Sequence, residues 1–216
     1  MAISAVVAVA DAGDRLVSTL AAKAQSLKIG PGTSENMDMG PLVTCAHRDK
    51  VQGYIDTGVK EGARLVVDGR GLKIPGCEAG FFLGPTLFDH VKPDMTIYKD
   101  EIFGPVLVVL RVNTLDEAIE LVNKNPYGNG TAIFTNSGGA AHRFEEQIEV
   151  GMVGINVPIP VPMAFYSFGG WKQSLFGDLH VHGMEGVAFY TRTKAVTSRW
   201  PKGDVVSSAF IMPTLG

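Results

Sequence analysis

Between Val106 and Asn156 the chain alternates apolar runs with amphipathic ones, and this pattern restricts the fold more than any other feature. "VLVVLRV" (106–112) reads as a strand with no polar alternation, and "TAIFT" (131–135) and "GMVGIN" (151–156) read as two more. After the first strand, Thr114 and Glu117 form a Thr-x-x-Glu capping box, Ala118, Ile119 and Val122 follow at helical spacing, and Asn125-Pro126 stops the helix. A second helix covers 140–148. Strand–helix–strand–helix–strand with short connections predicts right-handed crossovers and a parallel sheet. Strands apolar on both faces need helices on both sides. The fold class is therefore α/β, with a mostly parallel sheet and helices on both faces.

The flanking segments extend the pattern. Residues 2–8 read as a buried strand, followed by a helix that Asp11 or Asp14 can cap, with Leu16, Val17, Leu20, Ala24 and Leu27 on one stripe and Gly30 at its end. "IGPGTSENMDMGPL" (29–42) is a loop. Thr44 caps a second helix with Val51, Tyr54, Ile55 and Val59 on one face, ending at Gly62. "ARLVVDGR" (63–70) is a strand running into an Asp-Gly turn, and "GFFLGPTLFDHV" (80–91) is extended. "GVAFYTRTKAVTSRW" (186–200) alternates as a strand that either pairs with a sheet edge or crosses to another subunit.

With 216 residues the chain suits one large domain or two small ones, and its net charge of −3 has no block of one sign. Nucleic-acid and membrane-surface roles thus have no electrostatic support, and no apolar run approaches the length of a membrane span. The apolar N-terminal stretch lacks a preceding basic region, so a core strand is a better reading than a signal peptide. Cys45 and Cys77 are the only cysteines and are expected as free thiols in a reducing cytosol or matrix.

Several groups could carry chemistry. Asn156 ends a parallel strand, where α/β folds place ligands. The loop after it, "VPIPVPMAFYSFGGWKQS" (157–174), is too apolar for a solvated linker and carries Phe165, Tyr166 and Phe168. These aromatics are either ordinary core or the lining of a pocket. His180 and His182 have a possible metal-ligand spacing, but nothing completes a set, so a structural or surface role is expected and no metal. Cys45 beside His47 invites a nucleophile reading, yet Thr44 marks the place as a helix start. "GNG" at 128–130 is a turn signal. In "YKDEIFGPVLVVL" (98–110), Asp100 and Glu101 are either a solvated turn or carboxylates that accept hydrogen bonds from a polyol such as a ribose, with Phe103 against a flat ring.

Taken together, "EIFGPV" (101–106), "NPYGNGTAIFT" (125–135), "GMVGIN", "SFGGWKQS" (167–174) and "YTRTKAV" (190–196) resemble, in order and spacing, the motifs of the aldehyde dehydrogenase superfamily. "INVPIPVP" (155–162) and the terminal "MPTLG" (212–216) are similar to the methylmalonate-semialdehyde dehydrogenases, which transfer the acyl group to CoA. The resemblance implies that Glu101 contacts the nicotinamide ribose of NAD, that Phe103 packs near the nicotinamide, and that Asn129 lies close to it. It also implies that Phe168 belongs to the acyl pocket, which the strand ending at Asn156 leads into.

The same resemblance sets further expectations. NAD is the cofactor, CoA the acyl acceptor and a small aldehyde the substrate, with the protein a homo-oligomer in the cytoplasm or the mitochondrial matrix. Residues 1–185 would be the catalytic domain without the segment up to the nucleophile, and 186–216 the oligomerisation strand and tail. The family's nucleophilic cysteine lies in a motif that neither Cys45 nor Cys77 matches. The chain is thus expected to begin just after that cysteine, with no catalytic residue of its own, and to be inactive alone. A non-catalytic remnant or assembly module of the same fold is the alternative, and acyl transfer through Cys45 a third.

Overall fold

The computed structural model of the protein describes residues 3–198 and 200. Its centre is a four-stranded sheet ordered β1-β4-β3-β2, with β1 at Ala5–Val9, β2 at Arg64–Val67, β3 at Thr86–Asp89 and β4 at Val106–Val112. β4 runs parallel to β1 (Ala5 opposite Val108) and to β3 (Thr86 opposite Val106), while β2 is antiparallel to β3 with a register shift between Leu65 and Val67.

Side-chain alternation along β4 explains why it has no polar face. Val106, Val108 and Leu110 point into a core with Phe88 of β3 and with Val51, Ile55 and Ile97, supplied by α2 (Cys45–Lys60) and α3 (Thr96–Lys99). Leu107 and Val109 point the other way, toward Val17, Leu20 and Ala24 of α1 (Ala12–Ser26). Both faces are covered, as the apolar run requires.

The second half forms its own layer. α4 (Leu115–Asn123) follows β4, β5 (Tyr127–Gly128) leads into β6 (Gly130–Ile133), and α5 (Gly138–Gln147) crosses to β7 (Met152–Ile155). β6 and β7 pair in parallel, and Ile119, Phe144, Ile148 and Val150 close the core beneath them. β5 pairs with β8 (Trp171–Lys172), and α6 (Gly183–Tyr190) comes last.

Several expectations shift. The crossovers do not build one sheet: β1 and β3 occupy both edges of β4, so β6 and β7 pair separately. α1 stops at Ser26 because Leu27 turns extended, and Gly30 instead donates its N–H to the Met39 carbonyl. Asp11 holds the N-cap position of α1 without a side-chain bond, while Asp14 pairs with Arg111. Val59 is exposed on α2, and Gly58 takes the buried place against Ile97 and Phe88. Within 186–200, Gly186–Tyr190 complete α6, since Gly183 (φ 66°) restarts the chain as helix and Gly186 packs tightly against the Val181 backbone. Residues 191–198 and 200 have no ladder partner within the described chain. Met1, Arg199 and "MPTLG" lie outside the described residues.

Candidate active site

The turn that feeds β4 is built from one face of α2. Thr44 caps the helix by accepting the His47 backbone N–H at 3.1 Å. That fixes His47, Val51 and Tyr54 one above another at helical spacing, and each meets the turn. The ring Nε2 of His47 lies 2.8 Å from the Phe103 carbonyl, Val51 packs on Gly104, and the Tyr54 hydroxyl donates to Asp100 at 3.0 Å. A Cβ on Gly104 would stand 2.6 Å from Val51 Cγ1, so only glycine allows the approach. Burial, and then the bond to Asp100, hold the Tyr54 phenol above its usual pKa.

The two acidic residues of the turn therefore have different duties. Asp100 is engaged by Tyr54. Glu101 is exposed, and its carboxylate has no partner among the described residues. Ile102 is 7% exposed and anchors the turn in the core, so the residues on either side face outward, and Phe103 is 76% exposed. Phe103 also has φ 61°, a left-handed conformation that an aromatic residue rarely adopts without support. A free carboxylate beside a presented ring suits a sugar hydroxyl pair attached to a flat heterocycle.

A second group of predicted residues gathers around β5, β8 and the loop from 157 to 170. Asn129 follows β5, its carbonyl accepts from Met152, and its backbone lies so close to Gly170 that a Cβ there would be 2.9 Å from Asn129 Cα. Two residues before Gly170, Phe168 is half-buried with its ring 5.5 Å from the His182 ring. Ser167 binds both His180 Nδ1 and, at 2.7 Å, the Glu185 carboxylate, while His180 Nε2 reaches the Gly170 carbonyl at 3.3 Å. The loop is thus tied to α6. His180 serves this tie, and no group of His, Cys, Asp and Glu among the described residues could hold a metal ion.

Asn156 sits at the far end of the β6–β7 ladder, on the order of 15 Å from Asn129 at the usual strand rise. Its side chain extends that ladder: the Thr135 N–H donates to Oδ1 at 2.9 Å, and Nδ2 donates to the Thr135 carbonyl at 3.1 Å. Phe165 and Tyr166 are 66% and 62% exposed, which overturns the core reading of these two aromatics and leaves them as a loop surface. Their rings pack on each other, with centroids 4.7 Å apart. Glu101 and Phe103 make no hydrogen bond or ring contact with this second group among the described residues. Cys45 is exposed at the start of α2, with Arg48 Nη2 3.1 Å from its sulfur. Sequence reading missed His47 and Tyr54 as supports of the turn. The signal available was their shared helix face with Val51.

Fold and site together define a class, and the comparison with known families agrees: the aldehyde dehydrogenase family matches residues 1–196, and the chain belongs to it. Among curated relatives it is 60% identical, over its whole length, to the malonate-semialdehyde dehydrogenase of Pseudomonas aeruginosa, of which it covers 44%. Its fold is similar to that of a methylmalonate-semialdehyde dehydrogenase from Sinorhizobium meliloti solved with NAD, with TM-score 0.90 and 54% identity over 94% of this chain and 41% of that one. It is also similar to the methylmalonate-semialdehyde dehydrogenase of Oceanimonas doudoroffii, with TM-score 0.89 and 56% identity over 93% of this chain and 41% of that one. The chain thus spans less than half the length of these relatives.

Proposed function

We propose that this chain is the catalytic-domain portion of an NAD-dependent, CoA-acylating semialdehyde dehydrogenase. It would oxidise malonate or methylmalonate semialdehyde to acetyl-CoA or propanoyl-CoA with loss of CO2. The observation that carries the reading is the turn at 101–103, where an unpaired carboxylate and an outward aromatic ring flank a buried isoleucine. The names of the similar proteins support the substrate class, and "INVPIPVP" supports it from the sequence.

The residues fit a nicotinamide nucleotide. When bound, NAD supplies the acceptor for the hydride that leaves the substrate carbon. Glu101 would accept hydrogen bonds from two ribose hydroxyls, and its charge makes them stronger than neutral ones. Phe103 would cover one face of the ring and exclude water from it, with Asn129 close to the same ring. Phe168 would line the acyl pocket, entered from the Asn156 end of β7. Residues 1–185 would form the catalytic unit and 186–216 the segment through which copies assemble into a homo-oligomer. Two free cysteines suit a reducing compartment, the cytoplasm or the mitochondrial matrix.

Neither Cys45, exposed at the start of α2, nor Cys77 matches the motif that carries the family's nucleophile. The 216-residue chain alone is accordingly expected not to turn over aldehyde. The test is a chimera in which this chain replaces the matching portion of the Pseudomonas aeruginosa enzyme. NAD-dependent acyl-CoA formation from malonate semialdehyde is expected, and Glu101→Gln should lower kcat/KM for NAD by roughly tenfold, the loss of one or two charge-assisted bonds. A folded chimera that makes no acyl-CoA, or a Glu101→Gln chimera with unchanged NAD dependence, would overturn the reading.

A further inference from the structure

We propose that His47 is a positioning residue for the 101–104 turn: its Nε2–H holds the Phe103 carbonyl and so keeps Phe103 in the left-handed conformation that turns its ring outward. Three observations converge. The carbonyl is an acceptor only, so at 2.8 Å the imidazole must donate, which puts the proton on Nε2. Phe103 has φ 61° and 76% exposure, so neither glycine-like freedom nor burial of the ring keeps it there. And His47 is itself fixed, because its backbone N–H is taken by the Thr44 cap 3.1 Å away.

The geometry leaves few other holds. Phe103 is bracketed by Ile102, which is anchored in the core, and by Gly104, which is pressed on Val51. Those two contacts fix where the chain enters and leaves but not how the peptide between them is rotated. The Phe103 carbonyl is the group whose direction changes with that rotation, and His47 is its partner. Release of the carbonyl would let Phe103 relax to negative φ, and the ring would swing from its outward position. Glu101, two residues away on the same turn, would lose its fixed relation to the ring.

The inference rests on the reading of Glu101 and Phe103 as cofactor contacts for its meaning, but not for its test. The test uses the full 216-residue chain, with 13C and 15N labels read at Phe103. His47→Ala should move the Phe103 carbonyl shift toward that of an unbonded carbonyl and change its HN–Hα coupling, with Val106–Leu110 undisturbed. His47→Gln, whose amide can occupy the place of Nε2, should restore both. Phe103 signals unchanged in His47→Ala would overturn the proposal. So would changes spread through the core that Gln does not reverse, since His47 would then only stabilise the helix. If the Phe103 signals respond as expected while Glu101→Gln leaves NAD dependence in the chimera untouched, the functional reading fails and the positioning role stands.

Discussion

Asp89 is fully buried at the end of β3, and it remains a carboxylate because of what surrounds it. Burial alone would push its pKa up. The Arg111 guanidinium, with both contacts at 2.9 Å, and the His90 N–H at 2.8 Å outweigh that and hold it below the usual carboxylate range. Arg111 also reaches Asp14 on α1, so one guanidinium joins two strands and a helix. A carboxyl whose pKa is depressed by folding adds stability above its unfolded pKa of about 4, and that stability is lost as pH falls through the folded value. Asp89→Asn should therefore lower stability at pH 7 by about 3 kcal/mol, because Arg111 keeps a buried face with one partner gone. The same variant should flatten the acid limb of the melting temperature against pH. An unchanged acid limb would mean that other groups set it. Glu101→Gln should leave the melting temperature unmoved, because the Glu101 carboxylate makes no hydrogen bond or ion pair among the described residues. At this scale the sequence singled out Glu101 and Phe103 only through resemblance to a family. It could not say which of the two adjacent acids was free, because the partner that distinguishes them, Tyr54, lies far upstream.

Among the elements, α2 matters most for the site. Its start was legible from Thr44, since a capping threonine is a local signal. Its task was not, because the face that carries His47, Val51 and Tyr54 is defined by a turn beyond α3. Gly104→Ala should destabilise the chain by about 1–3 kcal/mol, as the added methyl meets Val51. Adding Val51→Ala should recover part of the loss, and a double-mutant cycle by urea denaturation would measure the coupling. Additive effects would show that the turn adjusts without help from α2. The split between the central sheet and the β6–β7 pair was likewise hidden from the sequence. Strand–helix alternation fixes the direction of each strand but not which edge is free to receive it.

Across the whole molecule, the apolar surface is unevenly spread. Val157, Val161, Met163, Phe165 and Tyr166 are each at least half exposed in one stretch, and Phe189, Tyr190, Val196 and Trp200 add to it near the end of the described chain. Exposed apolar side chains gathered in this way mark a surface suited to association. Light scattering across a dilution series should show that the isolated chain self-associates, and a monodisperse monomer at high concentration would contradict this. The sequence marked this loop as too apolar for a solvated linker and left its aromatics as core or pocket lining, because exposure depends on what the fold brings against the loop. A crystal structure of the chimera with NAD would show directly what the turn at 101–103 holds. The Glu101 carboxylate is expected within hydrogen-bond distance of both ribose hydroxyls beside the nicotinamide, with the Phe103 ring against that heterocycle and the Phe103 carbonyl still on His47. A nicotinamide bound elsewhere, with Glu101 facing solvent, would contradict it.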